Sequence, residues 1–301
     1  RKEIKIKEIE SIQIKPYFTE NKLSVIKLTR TNLKPENINL FFALNDTFVQ
    51  HFTVALASIL ANSNATDYYN INVLVNENGL TKENKNKIKT LNKIRSFNLK
   101  YIKINETLFK NFPLHLSHIR SLSTYYRFIL TDIAPNIDKA LYLDCDLVIN
   151  SDLYFLWNTD ISNFYAAGVE DCHWLNIEHK LNLGLKPNEP YVNAGVLLLN
   201  LKKMRQDDIK QKFFNNLKKI KNKIKYDDQD VINYTFKGKI KLLPPKYNLL
   251  VWFSYAMREG WKTSYNWYEI VEGTQNPAII HYAGETKPWN ISEENSQWQH
   301  P

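Results

Sequence analysis

The stretch that decides the fold is residues 140–146, ALYLDCD, an apolar run that ends abruptly in two carboxylates. Four consecutive apolar residues predict a short buried strand. In extended geometry, residues two positions apart point to the same side, so Asp144 and Asp146 converge while Cys145 points away. Converging carboxylates repel each other unless a cation lies between them, which predicts a divalent metal site. A turn with two solvated aspartates is the alternative that this tripeptide leaves open.

Short apolar runs alternate with stretches of helical period on both sides of this segment. The predicted strands are 38–44, 71–75, 99–104, 140–143, 165–169, 194–200, 239–243 and 278–282. The predicted helices include one over 48–60, one opened by Thr81, one over 123–133 and a basic one over 203–224. This alternation predicts an α/β fold: a single nucleotide-binding-type domain with helices flanking a sheet, without the glycine-rich GxGxxG fingerprint.

Composition and charge limit the class of protein. The chain has 301 residues and 44% hydrophobic content, and its apolar runs are far shorter than the roughly 20 residues of a membrane-spanning helix. The net charge of +9 is uneven: residues 1–34 carry +5, residues 202–225 carry +8, and the rest carry −4. We therefore expect a basic N-terminal arm over 1–34, a catalytic domain over 35–290 and a tail over 291–301.

The two basic segments permit two interpretations. They could hold the protein against anionic lipid, or the second could be a solvated helix face. Because the body between them is net acidic, we expect no nucleic-acid partner. The two cysteines lack CxxC spacing and no signal peptide is visible, although the chain begins at Arg1. We expect a cytoplasmic protein, with peripheral association at the inner face of the cytoplasmic membrane as a further expectation.

A second polar cluster follows the last predicted strand. Residues 281–289 read HYAGETKPW. An imidazole at a strand end can complete a metal shell, Gly284 lets a backbone N–H approach an oxyanion, and Lys287 supplies a positive charge for phosphate. Oxygen ligands with one imidazole favour Mn²⁺, with Mg²⁺ as the alternative. A packed or exposed histidine is the alternative for His281.

Together with four further motifs, these residues resemble glycosyltransferase family 8, the group that contains bacterial lipooligosaccharide galactosyl- and glucosyltransferases. The motifs occur in the family's order: Asn45-Asp46, 123–128 (STYYRF), 141–146 (LYLDCD), 193–201 (NAGVLLLNL), 228–230 (DQD) and 281–289 (HYAGETKPW). The resemblance implies a GT-A-like mixed sheet flanked by helices. It also implies a divalent metal and a nucleotide-sugar donor.

The resemblance also implies roles for single residues. The metal ligands would be Asp144, Asp146 and His281. The donor diphosphate would be contacted by Gly284, Lys287 and Arg127. The transferred hexose would be surrounded by Asn193, Ala194, Asp171, Asp228 and Gln229, of which Asp171, Asp228 and Gln229 are the catalytic candidates. Uracil would be contacted by Asn45, Asp46 and Phe48. Asn45 stands where the family often has an acidic residue, and Cys145, which replaces an aliphatic residue within the donor site, is assigned no redox role.

The implied activity is retaining transfer of galactose or glucose from UDP-galactose or UDP-glucose to a glycan or glycolipid acceptor. The expected acceptor is lipopolysaccharide or lipooligosaccharide core. Extension of a protein-linked adhesin glycan, a non-catalytic nucleotide-sugar-binding module and a metal-dependent nucleotidyltransferase are the alternatives. Retention requires front-face attack or a covalent intermediate, and we favour front-face attack because the amide of Gln229 is a weak nucleophile.

Overall fold

A seven-stranded mixed sheet organises the chain. The computed structural model describes residues 15–18, 24–27, 35–64, 67–115, 121–172, 176–250, 253, 263–284 and 287–290. The described strands are β1 (Lys15–Phe18), β2 (Ser24–Lys27), β3 (Asn37–Ala43), β4 (Tyr68–Asn76), β5 (Asn98–Ile104), β6 (Lys139–Leu143), β7 (Leu147–Ile149), β8 (Ala166–Gly168), β9 (Val196–Asn200), β10 (Ile240–Leu242), β11 (Leu249–Leu250) and β12 (Ile279–His281). All eight predicted strands are present, while β1, β2, β7 and β11 were not predicted.

The strand order of the large sheet is β10-β8-β9-β6-β3-β4-β5. Only β9 runs antiparallel to its neighbours β6 and β8, and the other pairs are parallel. A smaller sheet has the order β11-β12-β7, with β12 antiparallel to β7. The predicted α/β fold, a mixed sheet flanked by helices, is confirmed. In the predicted basic arm only β1 and β2 are described, as an antiparallel pair, and the tail over 291–301 lies outside the described residues.

Helices connect the strands. The described α-helices are α1 (Val49–Asn62), α2 (Lys82–Thr90), α3 (Leu130–Ile133), α4 (Tyr154–Trp157), α5 (Asn176–Leu183), α6 (Leu201–Gln206), α7 (Ile209–Ile220), α8 (Asp227–Thr235) and α9 (Trp267–Gln275). The described 3₁₀ segments are Asp46–Phe48, Leu91–Lys93, Glu106–Phe109, Leu122–Ile129, Lys221–Lys223, Pro245–Asn248 and Pro288–Asn290. Thr81 caps α2 as predicted, since its side chain accepts from the Asn84 N–H. Among the described residues, no helix combines the length and the hydropathy that crossing a bilayer requires.

Two helix predictions need correction. The single basic helix predicted over 203–224 is two helices, α6 and α7, because Asp208 adopts a left-handed φ of 47° that ends one helical path and starts another. The predicted helix over 123–133 is mostly 3₁₀, over Leu122–Ile129, with only α3 following in α geometry. In a 3₁₀ helix residues three apart line up, so Thr124 and Arg127 face the same way.

The central strands are buried on both faces. In β3, Ile38, Leu40 and Phe42 pack into one core cluster with α1, while Phe41 packs into the cluster on the opposite face. This follows from the two-residue period of a strand. Because β3 and β6 are buried on both faces, the polar residues that follow them lie at the carboxyl edge of the sheet, where ligands bind in open α/β sheets.

Candidate active site

Three metal-ligating side chains converge at this carboxyl edge. Asp144 and Asp146 follow β6, and His281 ends β12, which pairs with β7 directly after the two aspartates. One ligand atom from each of the three residues lies within 4.8 Å of the others. His281 Nε2 is 3.3 Å from Asp146 Oδ1 and 4.0 Å from Asp144 Oδ2. The structure thus brings together the three residues that the sequence predicts as metal ligands.

Each carboxylate of this pair also faces a basic side chain. Lys287 Nζ donates to Asp146 Oδ2 at 2.5 Å and to the Tyr282 carbonyl at 2.5 Å. Arg127 Nη2 donates to Asp144 Oδ1 at 3.0 Å. Burial by itself would raise the pKa of Asp146, but His281 and Lys287 outweigh burial and hold this pKa well below its usual value. Asp146 is therefore ionised at neutral pH and able to bind a cation.

The space around these ligands depends on a glycine. A Cβ on Gly195 would lie 2.3 Å from His281 Cε1 and 2.7 Å from Asp144 Oδ2, distances that no side chain tolerates. Gly195 also accepts the Asp144 N–H on its carbonyl at 2.8 Å. Two carboxylates and one imidazole form a donor set suited to Mn²⁺ or Mg²⁺. The residues present therefore fit a divalent cation.

A cluster of amides lies beside the aspartate pair. Because β9 is antiparallel to β6, the residues that precede β9 reach the edge where β6 ends. Gln229 Oε1 accepts from the Ala194 N–H at 3.1 Å and from Asn193 Nδ2 at 3.2 Å, while Gln229 Nε2 donates to Asp171 Oδ2 at 3.0 Å. Four of the predicted hexose contacts thus belong to one hydrogen-bonded cluster.

The fifth predicted hexose contact, Asp228, pairs with arginine. Arg127 Nε lies 3.2 Å from Asp228 Oδ2, the Thr124 hydroxyl donates to Asp228 Oδ1, and the guanidinium also donates to the Ala194 carbonyl. Burial raises the pKa of Asp228 to about 6, although Arg127 and Thr124 act to lower it. The preceding Asp227 has a φ of 43°, a strained conformation of the kind found at functional sites. Arg127 thus links the first aspartate of the pair to the residues predicted around the sugar.

The predicted uracil contacts begin at the end of β3. Asn45 Oδ1 accepts from Thr47 N at 3.1 Å and caps the turn Asp46–Phe48. The Asp46 carboxylate faces the start of α2, where it accepts from Thr81 N at 3.0 Å and Asn84 Nδ2 at 2.6 Å. These bonds join β3 to α2.

An aromatic group continues from this turn. Phe48 is 42% exposed and is therefore not part of the hydrophobic core. Its ring meets the edge of His51 at 5.9 Å between centroids, and His51 stacks on Trp289 at 4.1 Å. Lys287 Nζ lies 5.8 Å from the Trp289 ring centre. An exposed aromatic surface therefore lies next to the aspartate pair.

Two predicted site residues remain: Cys145, which is buried, and Gly284, which lies in a turn. Cys145 is buried, its Sγ lies 3.6 Å from the Ala43 carbonyl, and burial raises the pKa of its thiol. The extended geometry predicted for residues 144–146 is wrong, because these residues lie between β6 and β7, with bends at Cys145 and Asp146. Gly284 has a φ of 88°, a left-handed conformation suited to glycine. It turns the chain between His281 and Lys287, so that both side chains reach Asp146.

Two further residues of the site, Asn248 and Tyr191, were not predicted from the sequence. Asn248 is fully buried, with its Oδ1 2.9 Å from His281 Nδ1 and its Nδ2 3.0 Å from Asn193 Oδ1. Tyr191 accepts from Gln229 Nε2 at 3.3 Å and donates to Asp230 at 2.5 Å. The only signal in the sequence for Asn248 is one polar residue before an apolar run.

The fold and this site define a glycosyltransferase of the GT-A type. The family description "Glycosyl transferase family 8" matches residues 39–292, and the chain belongs to this family. A putative glycosyltransferase of Haemophilus influenzae is 35% identical over 259 residues, covering 85% of this chain and 74% of the relative. A lipopolysaccharide 1,2-glucosyltransferase of Escherichia coli K12 is 27% identical over 282 residues, covering 88% of this chain and 80% of the relative.

A solved structure shows the same architecture. The crystal structure of the galactosyltransferase LgtC in complex with donor and acceptor sugar analogs matches with a TM-score of 0.75 and 29% identity. The match covers 86% of this chain and 92% of that chain. The protein is therefore a glycosyltransferase related to enzymes that transfer glucose or galactose.

Proposed function

We propose that the protein is a retaining hexosyltransferase that moves galactose or glucose from a UDP-sugar to a glycan acceptor, with lipopolysaccharide or lipooligosaccharide core as the acceptor class. The observation that supports this most directly is that the Arg127 guanidinium forms ion pairs with both Asp144 and Asp228. It joins a cation site to carboxylate and amide groups that can hold sugar hydroxyls. The acceptor class rests on the named relatives.

Asp144, Asp146 and His281 would hold Mn²⁺, with Mg²⁺ as the alternative. When bound, the metal would offset the negative charge that develops on the departing diphosphate. Lys287 and Arg127 contribute positive charge to the two carboxylates of the pair, and Gly284, which has no side chain, lets a backbone N–H approach a phosphate oxygen. These side chains orient and stabilise the leaving group, so it requires no general acid.

The uracil base is assigned to the exposed face around Phe48. A ring that is 42% exposed and lies beside His51 offers a surface for base stacking, worth about 1–3 kcal/mol per base. Asn45 and Asp46 lie at the start of this turn, where their backbone and side chains can meet the base edge. Asn45 already accepts two hydrogen bonds from Thr47, so its amide N–H₂ remains the free end for uracil.

The hexose is assigned to the amide cluster. Asp228 Oδ2 is buried, and its partner among the described residues is Arg127 Nε, in an ion pair at 3.2 Å that does not meet hydrogen-bond geometry, so it can still accept from a sugar hydroxyl. The Gln229 amide is held at both ends by Ala194, Asn193 and Asp171, which suits an orienting group better than a nucleophile. We therefore favour front-face attack, in which the acceptor hydroxyl bonds to the anomeric carbon and its proton passes to the departing phosphate oxygen. A glycosyl adduct trapped on Asp171, Asp228 or Gln229 would overturn this mechanism.

The basic segment suits attachment to an anionic membrane surface. Seven lysines between residues 202 and 225 are exposed: Lys202, Lys212, Lys218, Lys219, Lys221, Lys223 and Lys225. The opposite side of α7 packs into the core through Ile209, Phe213 and Leu217. Within this segment, the ion pairs of the described residues involve Lys203, Arg205 and Lys210. The exposed lysines can therefore approach anionic lipid at the inner face of the cytoplasmic membrane.

We also propose the domain division expected from the sequence: a basic arm over 1–34, a catalytic domain over 35–290 and a tail over 291–301.

The test of the function is release of UDP from UDP-galactose or UDP-glucose with and without Mn²⁺. We expect metal-dependent release that Asp144→Asn abolishes, with one donor preferred. A protein that binds UDP-sugar yet releases no UDP, with or without lipooligosaccharide core acceptor, would be a binding module and would contradict the proposal. Transfer to a protein-linked glycan in place of core oligosaccharide would support the alternative acceptor.

A further inference from the structure

A chain of side-chain amides connects His281 to the predicted sugar site. It runs from His281 Nδ1 to Asn248 Oδ1 at 2.9 Å, and from Asn248 Nδ2 to Asn193 Oδ1 at 3.0 Å. Asn193 Nδ2 then reaches Gln229 Oε1 at 3.2 Å. Both asparagines are buried, so water does not provide alternative partners for them. The metal-ligating imidazole and the amide of Gln229 are thus the two ends of one hydrogen-bonded chain.

The direction of every bond in this chain follows from one backbone group. The Gly195 N–H can only donate, and it lies 3.0 Å from Asn193 Oδ1, which fixes that atom as the oxygen. Asn248 must then present its N–H₂ to the same oxygen and its own oxygen to His281 Nδ1. An oxygen at that place can only accept, so His281 carries a proton on Nδ1, and in the neutral imidazole that binds a metal the Nε2 lone pair would face the aspartates.

The other end of the chain is fixed in the same way. The Ala194 N–H donates to Gln229 Oε1 at 3.1 Å, so this atom is the oxygen and Nε2 faces Asp171. Asn193 can therefore donate to Gln229 Oε1 only in the orientation in which its own Oδ1 accepts from the Gly195 N–H and from Asn248 Nδ2. The metal side and the sugar side share a single consistent set of hydrogen-bond directions.

We propose that Asn248 is a positioning residue that sets the tautomer of His281 for metal binding and, through Asn193, holds Gln229 in the orientation needed for transfer. This inference rests on the proposed function for the metal and the donor sugar. Outer partners of this kind typically change metal affinity 10–100-fold when removed, because the ligand ring is no longer held in one tautomer and orientation.

Two substitutions distinguish the two hydrogen bonds of the Asn248 side chain, one to His281 and one to Asn193. Asn248→Leu removes both bonds, and we expect Mn²⁺ affinity measured without nucleotide to fall about 10–100-fold. Asn248→Asp keeps an oxygen that accepts from the His281 Nδ1–H. Its second oxygen lies next to Asn193 Oδ1, and the two acceptor oxygens repel each other. We therefore expect Mn²⁺ affinity within about threefold of wild type, together with a loss of kcat of about tenfold or more as Gln229 is misoriented.

Asn72→Leu is the matched control. Asn72 is also buried and bonds to the Leu40 and Asn70 carbonyls within the sheet, away from the aspartates. We expect this variant to lower Tm without changing Mn²⁺ affinity. A general packing effect would instead make both variants at 248 lose metal affinity in proportion to Tm.

The outcomes are distinct from failure of the proposed function. If the wild-type protein neither binds Mn²⁺ nor releases UDP, the proposed function fails. If it does both, yet folded Asn248→Leu binds Mn²⁺ like wild type, or Asn248→Asp loses affinity as Asn248→Leu does, the role of Asn248 is overturned. Should Asn248→Leu not fold, Asn248→Asp decides: retained affinity with reduced kcat supports the role, and any other combination overturns it.

Discussion

Gly195 lies against His281 so closely that an added Cβ would come within 2.3 Å of the imidazole Cε1. The contact arises because the turn before β9 and the end of β12 approach the aspartate pair from opposite sides. His281 is only 3% exposed, so its imidazole is enclosed by neighbouring residues and cannot swing out into solvent. The absence of a side chain at 195 therefore shapes the candidate metal site.

Gly195→Ala should abolish metal binding. The methyl group must displace either His281 or Asp144, and both are predicted ligands, so we expect Mn²⁺ affinity to fall by at least 100-fold with a destabilisation of about 1–3 kcal/mol. Isothermal titration with Mn²⁺ and thermal unfolding measure the two effects. Gly238→Ala is the control: its φ of 68° makes alanine strained but nothing lies within 4 Å of the added Cβ, so stability should fall and Mn²⁺ affinity should not. Metal binding by Gly195→Ala at wild-type affinity would contradict the site.

Lys287→Met should affect nucleotide and metal in opposite directions. Removing this charge should weaken UDP binding in the presence of Mn²⁺ by about tenfold or more, the scale of one hydrogen bond to a charged group. Mn²⁺ affinity without nucleotide should rise, because Asp146 loses a competing cation at 2.5 Å. Lys210→Met, which removes an ion pair with Asp132, should change neither affinity. A parallel loss of both affinities in Lys287→Met would show that Lys287 only maintains the local structure.

Donor turnover should increase with pH through about pH 6. Burial raises the pKa of Asp228 to about 6, so the carboxylate that accepts from the sugar becomes protonated below that value. Asp228→Asn should remove this acid limb from the profile of kcat/KM and lower its plateau. Asp132→Asn, at an exposed acid, should retain the limb. An unchanged acid limb in Asp228→Asn would assign the titration to another group.

The same pKa has a consequence for stability with a definite sign. The pKa of Asp228 is higher in the folded state than the unperturbed value near 3.9, so the folded state binds more protons between these values. The contribution of Asp228 to stability is therefore largest in acid and is lost as pH rises through about 6. Comparing the unfolding free energy of wild type and Asp228→Asn across pH 4–7 isolates this slope.

Exposed lysines on and beyond α7 should determine membrane binding. Replacing Lys212, Lys218 and Lys221 by glutamine removes about 1 kcal/mol each of attraction to anionic lipid, or about 100-fold in total. Sedimentation with phosphatidylglycerol vesicles measures the loss, and wild-type binding should weaken steeply with salt. Lys82, Lys89 and Lys93, exposed on and after α2, provide the matched triple control with the same change in charge. Equal binding to neutral vesicles, or an equal loss in both triple variants, would contradict this surface.

Much of the fold could be predicted because burial imposes a period on the sequence. Strand β6 is nearly continuous in apolar residues and β3 and β4 are rich in them, as expected of strands covered on both faces. The break between α6 and α7 was not predicted, because apolar residues recur at helical spacing on both sides of Asp207 and Asp208, and the left-handed φ of Asp208 is a property of the folded chain. A hydrogen bond from Tyr165, 42 residues earlier, to Asp207 at 2.7 Å accompanies that break. Such a contact exists only after the sheet and helices have packed.

The candidate site likewise contains residues that the sequence predicts and one, Asn248, that only the folded structure identifies. Asp144, Asp146 and His281 follow apolar strands, and polar residues at strand ends are recognisable from the order of residues alone. Asn248 has no such signal, because its importance lies in two atoms of His281 and Asn193, which are 33 and 55 residues away.

The sequence by itself determined eight of the described strands, the family motifs and the residue types able to bind a cation, because hydrophobic period and chemical identity are local properties. Only the tertiary structure decided the antiparallel direction of β9, the closeness of Gly195 to His281, and the hydrogen-bond directions through Asn248. Hydrogen bonds and steric contacts act over about 3 Å, and packing alone brings distant residues within that range.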